Sequence, residues 1–77
     1  MMLSQPGLQL KELIQKVEEL LPEGEFCQPY TVDYLRKTNR LLILHKATGK
    51  GDITIFHPDS VQCTLNYLNR NRVNSHG

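Results

Sequence analysis

Residues 41–57 read LLILHKATGKGDITIFH and hold two short apolar runs around a loop that contains two glycines. Aliphatic and β-branched runs that flank a glycine-containing loop are typical of a β-hairpin. We expect Lys46 to pair with Asp52 across the loop, which places His45 opposite Ile53. The sequence therefore predicts an antiparallel hairpin against which the rest of the chain packs.

The chain has 77 residues, the length of one small domain. A chain of this size buries only about 60% of the surface that its unfolded form exposes, so a single modest core is expected. We interpret residues 1–77 as one domain with flexible ends at 1–6 and 71–77. A deep catalytic cleft needs a larger scaffold, which favours a non-catalytic binding, regulatory or assembly module over an enzyme.

Neither a membrane span nor a secretory signal is expected from the sequence. It contains no run of about 20 consecutive apolar residues, the length needed to cross a bilayer. The first residues lack the basic and apolar regions of a signal peptide. These features predict a cytoplasmic protein without a membrane partner.

The net charge of +1 hides an asymmetry along the chain. Residues 1–33 hold two basic and six acidic side chains, a net −4, whereas residues 34–77 hold seven basic and two acidic ones, a net +5. A chain with this polarity can present one acidic and one basic face. The asymmetry bears on the choice of partner rather than on the fold.

Two amphipathic helices are predicted on either side of the hairpin. Apolar residues recur at i, i+3, i+4 and i+7 spacing between Leu10 and Leu21, which predicts a helix over residues 7–21. Pro58, followed by two residues that can cap a helix, predicts a second helix over residues 59–70.

Residues 30–36, YTVDYLR, are ambiguous. Their alternating pattern and their content of tyrosine, threonine and valine favour a strand. If this segment is a strand, residues 37–40 form a tight turn in which Asn39 tolerates a left-handed backbone. The alternative is a short helix that Thr31 caps and that ends at Asn39. The strand gives an α+β fold of two layers in α-β-β-β-α order, with a three-stranded antiparallel sheet and two helices on one face. The helix gives a winged-helix-like fold instead.

The sequence contains no convincing catalytic or phosphate-binding motif. Gly49, Lys50 and Gly51 lie between two predicted strands, whereas a Walker loop is longer and leads into a helix. We therefore interpret these glycines as turn residues, which can adopt positive φ angles.

Metal binding and cofactor binding are not predicted either. In the expected register His57 faces Leu41, about 13 Å along the hairpin from His45, which is too far to share a metal ion. Cys27 and Cys63 form no CxxC motif, and we expect both to be reduced, packed thiols.

Basic residues give the best candidate site. We assign a candidate nucleic-acid-binding set of Arg36, Lys37, Arg40, Lys46, Lys50, Arg70 and Arg72. Tyr30, Tyr34 and Tyr67 could offer stacking surfaces between these cations. Against this, charges at turns often serve only solubility, and a net charge near zero is unlike that of strongly basic nucleic-acid-binding domains.

A continuous apolar run over residues 41–44 places aliphatic side chains on both faces of its strand. Two helices on one face leave the other face uncovered, and a contiguous exposed apolar patch usually marks an interface. We therefore predict a protein interface at Leu42, Leu44 and Phe56, occupied by a second copy in a homodimer or by another protein.

Four functional hypotheses follow. The first is a dimeric binding module whose basic turns contact a nucleic acid or another anionic partner, and the second is an assembly subunit that docks on a protein. The third is a winged-helix DNA-binding regulator, with residues 31–39 as the recognition helix and residues 47–52 as the wing. A small nuclease ranks last, because the histidines do not converge.

Overall fold

The computed structural model describes residues 7–75, which form three helices and a two-stranded antiparallel sheet. The helices are α1 (Leu10–Glu19), α2 (Pro29–Lys37) and α3 (Ser60–Ser75), and the strands are β1 (Ile43–His45) and β2 (Ile55–Phe56). The order along the chain is α-α-β-β-α. A small mixed α and β fold with a hairpin is thus confirmed, but the three-stranded sheet in α-β-β-β-α order is not what the described residues form.

The predicted strand over residues 30–36 is wrong, because this segment belongs to α2. Pro29 lies in the first turn, where its missing N–H is not needed and its fixed φ suits a helix. Val32 and Leu35 are three positions apart, and each is only 1% exposed. Burial at helical spacing outweighs the strand propensity of the tyrosines, threonine and valine.

α2 ends in a Schellman motif. The N–H of Asn39 donates to the carbonyl of Arg36 at 3.1 Å, and the N–H of Arg40 donates to the carbonyl of Leu35 at 2.9 Å. Asn39 has a φ of 60°, in the left-handed region. The left-handed role predicted for Asn39 is confirmed, but it terminates a helix rather than joining two strands.

α1 is shorter than the predicted helix over residues 7–21. It begins after Gln9, whose N–H donates to the Glu12 carboxylate at 2.9 Å. Leu13 and Val17, four positions apart, are fully buried and form the inner face of the helix. The amphipathic pattern identified this helix correctly and missed its ends by a few residues.

The hairpin is confirmed, but its predicted register is wrong. The observed pairs are Ile43 with Phe56 and His45 with Ile55, with an irregularity between them. Lys46 and Asp52 are not paired in the ladder, so the partners that this pairing implied for His45 and His57 do not hold. Residues 46–54 form a loop instead of extending both strands.

A single residue before α1 joins the other side of β2. The N–H of Leu8 donates to the Phe56 carbonyl at 2.8 Å, and the N–H of Phe56 donates to the Leu8 carbonyl at 2.7 Å. The backbone of Gly7 runs so close to Ile55 that a Cβ there would overlap the Ile55 Cγ2 methyl group. A glycine is therefore needed at this crossing.

α1 is the central element of the packing, since it contacts α2, α3 and β2. The buried apolar side chains come from all parts of the described chain: Leu8, Leu13, Val17, Cys27, Val32, Leu35, Leu41, Phe56 and Leu65. One core therefore joins the helices and the hairpin.

α3 begins as predicted near Ser60 but continues to Ser75. Residues 71–75, which we predicted to be flexible, are therefore helical in the structure. The other predicted flexible residues, 1–6 and 76–77, lie outside the described residues. The Oγ of Ser60 donates to the Leu42 carbonyl at 2.8 Å and accepts from the Leu42 N–H at 3.1 Å. This side chain holds the start of α3 against the entry to β1.

Candidate nucleic-acid interface

The outer face of α2 is aromatic and basic. Tyr30, Tyr34 and Lys37 follow one another at i, i+4 and i+7, which places them on one side of the helix. Tyr30 is 74% exposed and Tyr34 is 46% exposed, while the opposite side of the helix carries the buried Val32 and Leu35. Burial of the inner face thus turns two aromatic rings and an ammonium group toward solvent.

Asp33 lies on the same outer face and partly offsets the positive charge there. Its carboxylate pairs with the Arg36 guanidinium at 2.5 Å and with the Lys37 ammonium at 3.2 Å. The hydrogen bonds from Arg36 and then Lys37 lower the pKa of Asp33. The three side chains therefore form a partly exposed ion-pair network with a net positive charge.

A groove of about 670 Å³ separates the end of α2 from β1. We call it the basic groove. Arg36 and Lys37 form one wall, and Lys46 lies on the other, so three of the predicted nucleic-acid-binding residues come together here. Leu42 and Leu44 also line it and are 49% and 48% exposed. The basic groove thus combines cations with aliphatic surface.

Arg40 lies beside α2 rather than at a strand turn. Its guanidinium carbon is 5.8 Å from the centroid of the Tyr34 ring, within the range of a cation–π contact. The Tyr34 and Tyr67 rings have centroids 6.0 Å apart and are tilted by 43°. The contact between the two rings joins α2 to α3. The cation–π contact keeps the Arg40 guanidinium near the exposed face of α2.

Asp52 organises the hairpin loop. Its carboxylate accepts from the Thr48 N–H at 3.0 Å and from the Ile53 N–H at 2.9 Å, and His45 Nε2 lies 3.0 Å from it. The Asp52 N–H donates to the Gly49 carbonyl at 3.1 Å. The loop is therefore closed by one side chain, with Lys50 exposed near its tip.

We expect protonation of Asp52 to open this loop. The Thr48 N–H, followed by the His45 side chain, lowers the pKa of Asp52 below its ordinary value, which is about 3.9. Since the folded state holds the proton less tightly, the stabilisation is present above the ordinary pKa and is lost as the pH falls through the lowered one. An NMR pH titration should give a midpoint below about 3.9 for the Asp52 carboxyl carbon and the Thr48 amide.

Asp52→Asn provides the control for this titration, since the Thr48 amide should then lose its acid transition. A midpoint for Asp52 at or above the ordinary value would contradict the loop contacts described above.

The remaining predicted site residues are dispersed. Arg70 is exposed on α3, and Arg72 lies further along the same helix. Lys50 lies on the loop and does not line the basic groove. Phe56 is only 2% exposed and belongs to the core, so its assignment to an exposed apolar interface is corrected. Leu42 and Leu44 remain at the surface.

Sequence reasoning missed Asp33 and Asn39 as parts of this region. Asp33 stands three and four positions before Arg36 and Lys37, the spacing at which opposite charges meet on a helix. That signal was present in the sequence and was lost once the segment was interpreted as a strand. Asn39 lines the basic groove as well as ending α2.

The histidines and cysteines are candidate metal ligands, because imidazole and thiolate groups bind zinc. Within the described residues, no three His, Cys, Asp or Glu side chains come together to hold a metal ion. His57 Nδ1 accepts from the Asp59 N–H at 3.0 Å. Cys27 and Cys63 are free thiols, and burial, then the nearby Glu18 charge, raises the pKa of Cys27 to about 11.

None of the helices within residues 7–75 combines the length and the apolar character that a bilayer span requires. Comparison of the chain with protein-family models, curated proteins and solved structures gave no match.

Proposed function

We propose that this protein is a small non-catalytic module that binds duplex DNA through α2 and the hairpin. The observation that carries the proposal is the helix at residues 29–37, which turns two tyrosines and a lysine outward beside the basic groove. The major groove of B-DNA is wide enough to admit a helix of this kind. α2 would serve as the recognition helix, and the hairpin loop as a wing.

The charge of the segment supports contact with phosphates. Between Asp33 and Asp52 there are five basic and two acidic side chains, a net +3 with histidine neutral. Lys37 and Lys46 border the basic groove, and Lys50 lies on the loop beyond it. Cations spread over a helix end and a neighbouring loop can follow a phosphate backbone, and that contact supplies most sequence-independent affinity.

The aromatic residues are compatible with duplex binding and do not favour a single-stranded ligand. Tyr34 packs against Tyr67 and lies below Arg40, so its ring is partly occupied within the protein. Tyr30 is the more exposed ring, and its hydroxyl can donate to a phosphate oxygen or to a base edge. One free ring offers little stacking surface, which favours duplex over single-stranded ligands.

The test is fluorescence anisotropy with a short mixed-sequence DNA duplex between about 50 and 200 mM salt. We expect Lys37→Gln with Lys46→Gln to weaken binding at least about tenfold and to reduce the salt slope by about two. Lys11→Gln with Lys16→Gln removes the same charge from α1 and should change the affinity less than about twofold.

Duplex binding that is absent at low salt, or that falls equally in both double variants, would overturn the proposal. A single strand of the same sequence is the further comparison. Tighter binding to the single strand than to the duplex would argue for base stacking and against a recognition helix.

A second candidate function is assembly through protein contacts. Leu42, just before β1, and Leu44, on β1, are each about half exposed, and they are the exposed part of the interface that the sequence predicts. A second copy of the chain could cover them in a homodimer. A chain that sediments as a dimer and does not bind the duplex would favour this function.

A further inference from the structure

A second groove adjoins the basic groove and is bordered by the start of α1, by α2 and by the hairpin loop. Its volume is about 630 Å³, within the range of small-molecule sites. Core residues Val32 and Phe56 line it at 1% and 2% exposure, and Leu10 and Ile53 extend the apolar surface outward. We call it the apolar groove.

Five charged side chains border the apolar groove, and three of them are already engaged. Asp33 and Arg36 form an ion pair with each other. Asp52 is held by the loop amides and by His45. The charges of these three groups are therefore satisfied from within the protein.

The other two charged groups are lysines. Lys11 lies in the first turn of α1 and Lys46 lies just after β1, on different walls of the groove. Both are exposed, and neither forms an ion pair with any residue in the described part of the chain. The groove thus combines an apolar lining with two uncommitted positive charges at its rim.

We propose that the apolar groove binds a small amphipathic carboxylate, with its hydrocarbon part against the exposed Leu10 and Ile53 and its carboxylate at Lys11 and Lys46. An apolar site with a few convergent polar groups is the usual form of a ligand pocket. A carboxylate can accept hydrogen bonds from the lysine ammonium groups, and it does not need the bidentate arginine contact that Asp33 takes from Arg36. This site goes beyond the proposed DNA binding and does not depend on it.

Three probe molecules separate the contribution of the apolar contact from the contribution of the charge. Phenylacetate has both the ring and the charge, phenylacetamide has the ring without the charge, and acetate has the charge without the ring. An NMR titration of the labelled protein should show saturable shifts with phenylacetate at the amides of Leu10, Val32 and Ala47. We expect a dissociation constant of about 1–10 mM, at least about fivefold tighter than for either partial probe.

Lys11→Met tests the charge at the rim, because it keeps the length of the side chain. It should weaken phenylacetate binding at least about fivefold and leave phenylacetamide binding unchanged. Lys16→Met removes a charge from the same helix without touching the groove and should change neither. Shifts that never saturate, equal affinity for acetate, or indifference to Lys11→Met would overturn the proposal.

Failure of this site can be told apart from failure of DNA binding. Lys11 borders only the apolar groove and Lys37 borders only the basic groove, whereas Arg36 and Lys46 border both. A Lys37→Gln variant should therefore keep its affinity for phenylacetate. Loss of phenylacetate binding in that variant would show that the two grooves are not separate sites.

Discussion

Leu13→Ala is expected to lower the free energy of unfolding by about 2–5 kcal/mol. Leu13 is 0% exposed and lies on the inner face of α1, the helix that contacts α2, α3 and β2. Its removal leaves a cavity at the place where these elements meet. A domain of this length has a total stability of roughly 4–12 kcal/mol, so the variant should unfold far more readily.

Urea unfolding followed by circular dichroism measures this loss, and Leu20→Ala is the matched control. Leu20 follows α1 and is 64% exposed, so the same truncation there should cost less than about 0.5 kcal/mol. Equal losses in the two variants would mean that α1 does not bury the face described here.

Ser60→Ala is expected to cost about 1–3 kcal/mol, although it removes a single oxygen atom. The Ser60 Oγ is the acceptor for the Leu42 N–H and also donates to the Leu42 carbonyl. The carbonyl keeps a second partner, the His57 N–H at 2.9 Å. The Leu42 N–H loses its acceptor, and an unsatisfied donor carries a desolvation penalty.

Thr64→Val gives the comparison, because the Thr64 hydroxyl is as deeply buried as that of Ser60. It donates to the Ser60 carbonyl at 2.8 Å, a group that can also accept the backbone bond of the helix. Its loss should therefore cost less than about 1 kcal/mol in the same urea experiment. A larger loss for Thr64→Val than for Ser60→Ala would contradict this assignment of partners.

The elements with the clearest sequence patterns were predicted correctly. α1 follows from apolar residues at helical spacing, α3 follows from the helix-start signal at Pro58, and the hairpin follows from two short β-rich runs around glycines. α2 was misassigned because Tyr30, Val32 and Tyr34 alternate as in a strand, while Val32 and Leu35 also fit one face of a helix. Which apolar spacing is buried depends on packing against α1, and the pattern of apolar residues alone does not contain that information.

The hairpin register could not be predicted because a side chain closes the loop. The Asp52 carboxylate accepts hydrogen bonds from the amides of Thr48 and Ile53. Residues 46–54 therefore form a loop and are not paired in the sheet. A prediction that extends both strands to the glycines pairs each residue of β1 with a partner that lies too close to the turn. It also misses the burial of Phe56, which depends on contact with Leu8 at the far end of the described chain.

The candidate site was predicted in part. The sequence identified the cations, and the structure brings Arg36, Lys37 and Lys46 to one groove while Arg70 and Arg72 lie on α3. Their grouping follows from the helical conformation of α2, which turns its last residues toward β1. A prediction built on the strand could name these residues but not place them together.

The bridge between Leu8 and Phe56 has a consequence for how the protein folds. These residues are far apart in sequence, so the chain must close a long loop, at an entropic cost, before this pair can form. Such non-local contacts raise the contact order and slow folding relative to a simple helical bundle. The bridge also ties the segment ahead of α1 to the hairpin, so the helices and the hairpin should form together in one cooperative transition.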